Sequence, residues 1–326
     1  MLRLGIIGTG SISHEFIKAA RLSGEYEFTA VYSRTLSAAE RFAQDYKNVE
    51  LYTDMIKFLS ADLDVVYIAS PNSLHFNHAK VAILARKHVI VEKPAVSRPE
   101  EWQELVKLAA EHQVYIFEAA RNYHEAAFAV IQDFLKDKKI WGANFTYAKY
   151  SSKMGALLSG QEPNVFSAKF SGGALMDLGV YTLYAAVRLF GAPQNTCYTT
   201  QQLPNSVDLN GSGSLIYPDF QVRIQAGKNI HSQLPAEIYT DQGTLTLDGI
   251  EFIRSAIFQK LNGETESLTI HQAEHQMLEE AQAFTRVLKG GQEELYSDYL
   301  QAAATVHECM FAMRKDAGIR FEVDHD

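Results

Sequence analysis

Cysteine is nearly missing from this chain. Only Cys197 and Cys309 occur in 326 residues, far apart. Neither belongs to a metal-spacing motif, and a fold dependent on disulfides is not expected. The 11 histidines include no His-Glu-x-x-His pattern, so no metal site is predicted. Basic excess is missing too: 30 Lys and Arg face 39 Asp and Glu, a formal charge of -9. That balance argues against a duplex nucleic-acid protein, although a local anion pocket stays open. No continuous apolar run approaches the roughly 20 residues needed to cross a bilayer. Near the start, one Arg3 precedes Leu4–Ile7 and then glycines, a poor match to a secretory signal. A soluble cytoplasmic protein without a membrane or nucleic-acid partner is the expectation. Internal repeats, coiled-coil heptads and long polar tails are also absent.

What is present is apolar material, 47% of the chain, enough to build two cores. Leu4-Gly5-Ile6-Ile7 reads as a buried strand that meets Gly8-Thr9-Gly10 and then Ser11-Ile12-Ser13, which opens a helix. Closely spaced glycines permit a tight turn and close backbone approach, and a helix N-terminus offers N–H groups to an anion. Ser13 stands where a third glycine often lies, so the fingerprint is a variant one. An ordinary glycine-rich turn is the competing reading.

Strands and helices then alternate. The apolar patterns predict helix 11–23, strand 28–32, helix 37–46, strand 64–69, helix 74–86, strand 89–91, helix 99–112 and strand 114–118. This rhythm belongs to a mostly parallel sheet covered by helices. It changes after a predicted helix at 124–137. Residues 142–152 read as a strand, 153–172 as irregular, and 173–189 as a long helix. From 195 to about 270, extended segments alternate with turn signals such as Asn210-Gly211 and Asn262-Gly263, the pattern of a largely antiparallel second sheet. Helices near 273–289 and 298–315 complete the chain. The predicted division is 1–121, a dinucleotide-binding Rossmann domain, and 122–326, a substrate-binding α+β domain with a large open sheet. One face of that sheet suits a homodimer or higher homo-oligomer.

Three loops at predicted strand ends carry chemistry. Tyr32-Ser33-Arg34-Thr35 ends the second strand. An Asp or Glu there accepts hydrogen bonds from an adenosine ribose; Ser33 and Arg34 instead suit an added ribose phosphate. NADP is therefore predicted, with NAD as the alternative. Ser70-Pro71-Asn72 and His75 follow the strand at 64–69, where ligands gather in such sheets. Glu92-Lys93-Pro94 ends a further strand. Lys93 can set positive charge beside nicotinamide and an oxygen whose bond order changes during hydride transfer, and Glu92 can order the cofactor or balance the lysine. A surface ion pair is the bland alternative. Later, Asp177 and Tyr181 stand four apart on a predicted helix, hence on a similar face. Gly172-Gly173 before it permits close backbone approach, and Gly179 leaves room for a ligand. Arg121, His124, Tyr147, Tyr150 and Lys153 are further candidates for polar substrate contacts.

In this order the motifs resemble the glucose–fructose oxidoreductase/inositol dehydrogenase/rhizopine catabolism (Gfo/Idh/MocA) family. The likeness rests on Gly8-Thr9-Gly10, Ser70-Pro71-Asn72 with His75, Glu92-Lys93-Pro94, and Gly172 through Tyr181. It implies cofactor contacts at Gly8, Thr9, Gly10, Ser11, Ile12, Ser33, Arg34, Ser70, Pro71, Asn72, His75, Glu92 and Lys93. Lys93, Asp177 and Tyr181 become the expected catalytic residues. Many members have His at the position of Tyr181, and a subset has Tyr. Asp177-Leu178-Gly179-Val180-Tyr181 looks closer to the dimeric dihydrodiol dehydrogenase-like branch, although Glu118 through His124 follows that branch only in part. The expected activity is NADP-linked, reversible hydride transfer at a hydroxyl or carbonyl carbon of a sugar, polyol, diol or dicarbonyl. A dinucleotide-binding regulatory module without turnover is the alternative.

Overall fold

A computed structural model describes residues 1–325. Its chain divides into two compact units, residues 1–119 with 275–301, and 120–274 with 302–325. In the first, strands β1 (Leu2–Ile7), β2 (Tyr26–Tyr32), β3 (Glu50–Tyr52), β4 (Val65–Ile68), β5 (His88–Glu92) and β6 (Ile116–Ala119) form one sheet. Their order is β3-β2-β1-β4-β5-β6, and every pairing is parallel. The order reverses between β1 and β4, so the loops leaving these two strands flank the switch point at which such sheets bind ligands. The Rossmann expectation holds.

Parallel strands covered on both faces read as continuous apolar runs, and β4 is buried along its whole length. Helix α1 (Ser11–Ser23) buries Phe16, Ile17, Ala19 and Ala20, and Phe16 stacks on Tyr67 with centroids 3.9 Å apart. The pair β3 and Met55–Leu59, absent from the sequence reading, completes the sheet edge. Helix Leu278–Leu288 joins this unit as well. Its Ala281, Phe284 and Val287 enter the N-terminal core, Phe284 stacks on Phe117 at 4.7 Å, and the Tyr26 hydroxyl donates to Ala281 O at 3.0 Å. All of 122–326 is expected to belong to the second domain. An amphipathic helix advertises a buried face without naming its partner, and this one returns to the first unit.

In the second unit, β7 (Ile140–Ala148), β8 (Asn195–Gln202), β9 (Asp208–Ile216), β10 (Gln221–Gly227), β11 (Ala236–Thr240), β12 (Gly243–Leu247), β13 (Ala256–Lys260) and β14 (Thr265–Leu268) form an eight-stranded sheet. The order is β14-β13-β12-β11-β7-β10-β9-β8, antiparallel except for the β7–β10 pair. The expected large, mostly antiparallel sheet is there. Against it lies a helical segment in two parts: a wide i→i+5 turn at Leu175–Gly179, then a regular helix at Val180–Phe190. Within Ala168–Phe190 an 18-residue window reaches a mean hydropathy of 1.2, although Lys169, Asp177 and Arg188 interrupt the segment and it is no continuous apolar run. Some 78% of that window is buried inside the protein, as befits a core helix.

Candidate active site

The first unit carries a glycine turn at the N-terminus of α1 and a lysine loop after β5. Gly8 adopts φ +108°, and a Cβ there would lie 2.4 Å from Ala69 O. Only glycine allows β1 to turn so close to the end of β4. Gly10 is the N-cap of α1, whose N-terminus has no side-chain cap, and a Cβ on Gly10 would meet open space. Backbone donors and room for close approach therefore coincide, which suits a dinucleotide pyrophosphate. Ser13, the departure from a third glycine, is buried and its hydroxyl donates to Gly8 O at 2.9 Å. It locks the turn.

Ser33 and Arg34 follow β2, the first half-buried and the second exposed, just before the helix Leu36–Ala43 that Thr35 caps. Ser33 is held in place by its N–H, which donates to Tyr52 O at 3.0 Å. Short as it is, β3 thus fixes the β2 tip. No carboxylate stands between Tyr32 and Thr35.

His75 has another role than the one expected. Its ring nitrogens lie 2.8 Å from Pro94 O and 2.7 Å from Ser70 O, and the side chain is 1% exposed. It braces the Ser70 loop against the Lys93 loop and offers no surface to a ligand. Burial lowers its pKa despite the two carbonyl oxygens that pull the other way. His78 contacts the Ser70 hydroxyl at 2.9 Å, and burial, assisted by His75, brings its pKa down to about 4. The unfolded histidine titrates near its usual value of 6.5. Between these pH values the unfolded chain holds a proton that the folded one rejects, so stability falls as pH drops through that window. Melting of the first unit should decline on going from pH 7 to pH 5, and His78→Gln should remove about 2–4 °C of that decline. An unchanged pH slope of Tm in the variant contradicts this account.

Lys93 is half-buried at the C-terminal end of β5, with a cis peptide bond to Pro94. Glu92 faces inward and accepts from the Tyr67 hydroxyl, and Glu118 accepts from Ala95 N at 3.2 Å. Two buried carboxylates and one buried imidazole thus hold the loop around the lysine.

The second unit holds Asp177 and Tyr181, each with a cationic neighbour. Gly173, at φ +124°, starts the wide turn; a Cβ there would lie 2.0 Å from the buried Asp208 carboxylate, which accepts from Leu175 N at 2.7 Å. Tyr181 is 8% exposed, and its ring lies between Arg121, 5.1 Å from centroid to guanidinium carbon, and Tyr147, edge-on at 5.3 Å. Asn122 Nδ2 donates to Tyr181 O at 3.0 Å and to Ile250 O at 3.1 Å, pinning the backbone. Arg121 is itself fixed by a 2.5 Å bond to Glu251 O. Asp177 is about one-third exposed and pairs with the buried ammonium of Lys228. Gly179 departs from expectation: a Cβ would lie 2.9 Å from Leu175 Cδ1 and 3.4 Å from Ala226 Cβ. Its smallness serves helix–sheet packing and leaves no ligand space.

Arg121 and Tyr147, expected as substrate contacts, therefore frame Tyr181. Tyr150 and Lys153 are exposed, and His124 is half-buried. Lys228 and Asn122 are not among the residues that the sequence singles out. The available signal is a lysine directly after β10, a strand of alternating polar and apolar residues, and an asparagine beside Arg121.

Residues 2–120 match the Gfo/Idh/MocA description "Oxidoreductase family, NAD-binding Rossmann fold", and residues 139–246 match the "GFO/IDH/MocA C-terminal domain". The uncharacterized oxidoreductase YgjR of Escherichia coli (strain K12) is 34% identical over 328 residues, spanning 99% of each chain. The chain belongs to the Gfo/Idh/MocA family. The scyllo-inositol 2-dehydrogenase (NADP(+)) IolU of Bacillus subtilis (strain 168) is 32% identical over 326 residues, again 99% of each. Among solved structures, KijD10, a 3-ketoreductase from Actinomadura kijaniata in complex with NADP and TDP-benzene, shares the fold. Its TM-score is 0.84 at 23% identity, covering 97% of this chain and 98% of that one. As a Gfo/Idh/MocA protein the chain is an NAD(P)-dependent oxidoreductase acting at hydroxyl or carbonyl groups.

Proposed function

We propose that the protein is an NADP-linked dehydrogenase of a secondary hydroxyl on a polyhydroxylated ring, a cyclitol or a pyranose sugar. The observation that carries this reading is the Tyr181 cluster, in which a phenol is clamped by Arg121, Tyr147 and Asn122 on the same helical segment as Asp177. The end-to-end likeness to the scyllo-inositol dehydrogenase supports the substrate class. The dihydrodiol dehydrogenase branch has less support. Its trans-1,2-dihydrobenzene-1,2-diol dehydrogenases are 24–29% identical over 58–81% of the chain.

A bound nicotinamide would supply the hydride acceptor for oxidation and the hydride donor for reduction. The chain's own groups do the rest. In oxidation the phenolate form of Tyr181 accepts the hydroxyl proton, and in reduction the phenol form returns that proton to the carbonyl oxygen. Arg121 sets a fixed positive charge against the ring that moves the proton. Lys93 favours negative charge as it develops on the reacting oxygen. Asp177 orients the substrate by accepting from a hydroxyl. Gly8, Thr9, Gly10, Ser11 and Ile12 hold the pyrophosphate, and Ser70, Pro71 and Asn72 border the dinucleotide at the neighbouring strand end. Ser33 and Arg34 hold the ribose phosphate.

Cofactor choice is tested by titrating the cofactor-free protein with NADPH and NADH in parallel, following intrinsic fluorescence. NADPH should bind more tightly. Arg34→Ala should weaken NADPH by about 10- to 30-fold, in keeping with a lost charge-assisted hydrogen bond of about 1.5–2 kcal/mol, and leave NADH nearly unchanged. Equal affinities in the unaltered protein contradict the assignment of Ser33 and Arg34.

A further inference from the structure

Lys228 has no place in the reaction as described, yet its setting is unusual for a lysine. It follows β10 directly, and its side chain is 5% exposed. The main chain is pinned on both sides: its N–H donates to Leu209 O at 2.7 Å, and its carbonyl accepts from Ser151 N at 2.8 Å. The ammonium lies 5.8 Å from the centroid of buried Phe166 and pairs with Asp177 Oδ2. Burial of an ammonium is unfavourable unless a counter-charge meets it. Here the cation is inside while the carboxylate, 34% exposed, is at the surface. Such an asymmetric pair holds the carboxylate from behind.

The support is directional. Asp177 stands on the wide turn Leu175–Gly179, whose start is fixed by its own N–H donating to Gly173 O at 3.2 Å. A carboxylate on such a turn still rotates about its side-chain bonds, and an anchored ammonium removes that freedom. A carboxylate has about four lone-pair sites, and the bond to Lys228 takes up one of them.

We propose that Lys228 is a positioning residue for the reaction, holding Asp177 in the orientation that receives the substrate hydroxyl. This rests on the reading of Asp177 as the group that orients substrate. Lys228 touches no reacting atom. Its contribution passes entirely through the carboxylate.

The test is a double-mutant cycle on the full-length protein, using the best polyol from a panel of inositols and aldoses with NADP. Lys228→Met should lower kcat/KM by about 10²-fold, the cost of a misplaced substrate. It should also weaken polyol binding to the dinucleotide-loaded protein in calorimetry, while NADPH affinity and the circular dichroism spectrum stay unchanged. Lys228→Arg, which keeps the charge, should recover most of the loss. In an Asp177→Asn background, Lys228→Met should cost no more than about threefold further, because residues acting through one another are not additive. If Lys228→Met does not fold, Lys228→Gln keeps a donor without the charge and takes its place. Full activity of the neutral variant alongside an inactive Asp177→Asn overturns the proposal, as do losses that multiply in the double variant. Full activity of Asp177→Asn sinks instead the role given to Asp177.

Discussion

Tyr181→Phe should lower kcat/KM for polyol oxidation by about 10²- to 10⁴-fold, the range expected when a positioned proton-transfer group is removed. The substitution is unusually clean at this position. Phenylalanine keeps the ring that Arg121 covers and that Tyr147 meets edge-on, and the backbone bond from Asn122 does not depend on the hydroxyl. Fold and dinucleotide affinity should therefore be preserved, so the loss belongs to the phenol oxygen. Steady-state kinetics beside a thermal melt and an NADPH titration check this. Turnover within threefold of the unaltered protein removes Tyr181 from the chemistry.

A second large effect is expected at Lys93. Lys93→Met should reduce kcat by about 10²- to 10³-fold, as when a single donor to a developing oxyanion is lost. Arginine should recover little of it. The lysine loop is held by Glu92 against Tyr67, by His75 on Pro94 O and by Glu118 on Ala95 N. A broad guanidinium on that fixed backbone puts its charge elsewhere than a compact ammonium does. NADPH affinity should fall only modestly. The split between kcat and Kd is the readout, measured by single-turnover reduction and by fluorescence titration. A variant that binds dinucleotide poorly yet turns over normally when saturated makes Lys93 a cofactor ligand alone.

Several parts of the fold and site are legible in the amino-acid sequence, and for physical reasons. Gly8 is visible because a positive φ against the Ala69 carbonyl tolerates no side chain. Lys93 and Arg34 stand out because each follows an apolar strand, where polar residues cluster for function. Parallel strands such as Val65–Ile68 show as unbroken apolar runs. Other parts carry no such mark. The three-residue strand Glu50–Tyr52 is too short to show a period, although it fixes Ser33. Leu278–Leu288 displays an apolar face, but nothing in its sequence says that Phe284 meets Phe117. Gly179 reads as ligand space because a glycine reports only a missing side chain, and of its two occupants, Leu175 and Ala226, the second lies 47 residues away along the chain. Lys228 gives little signal because lysines are almost always solvated. Its meaning depends on a partner 51 residues distant, Asp177. His75 misleads in the opposite sense: its place after a strand suggests ligand contact, and its two carbonyl partners make it a brace.

The measurement that bears most directly on the central claim is isotope transfer. The purified protein is incubated with NADP and inositols or aldoses deuterated at their ring carbons, and the recovered dinucleotide is weighed by mass spectrometry. One deuterium should appear in the reduced dinucleotide, together with a ring ketone or lactone, and Tyr181→Phe should suppress both. Dinucleotide that binds tightly but is recovered unreduced with every polyol and aldose contradicts the account.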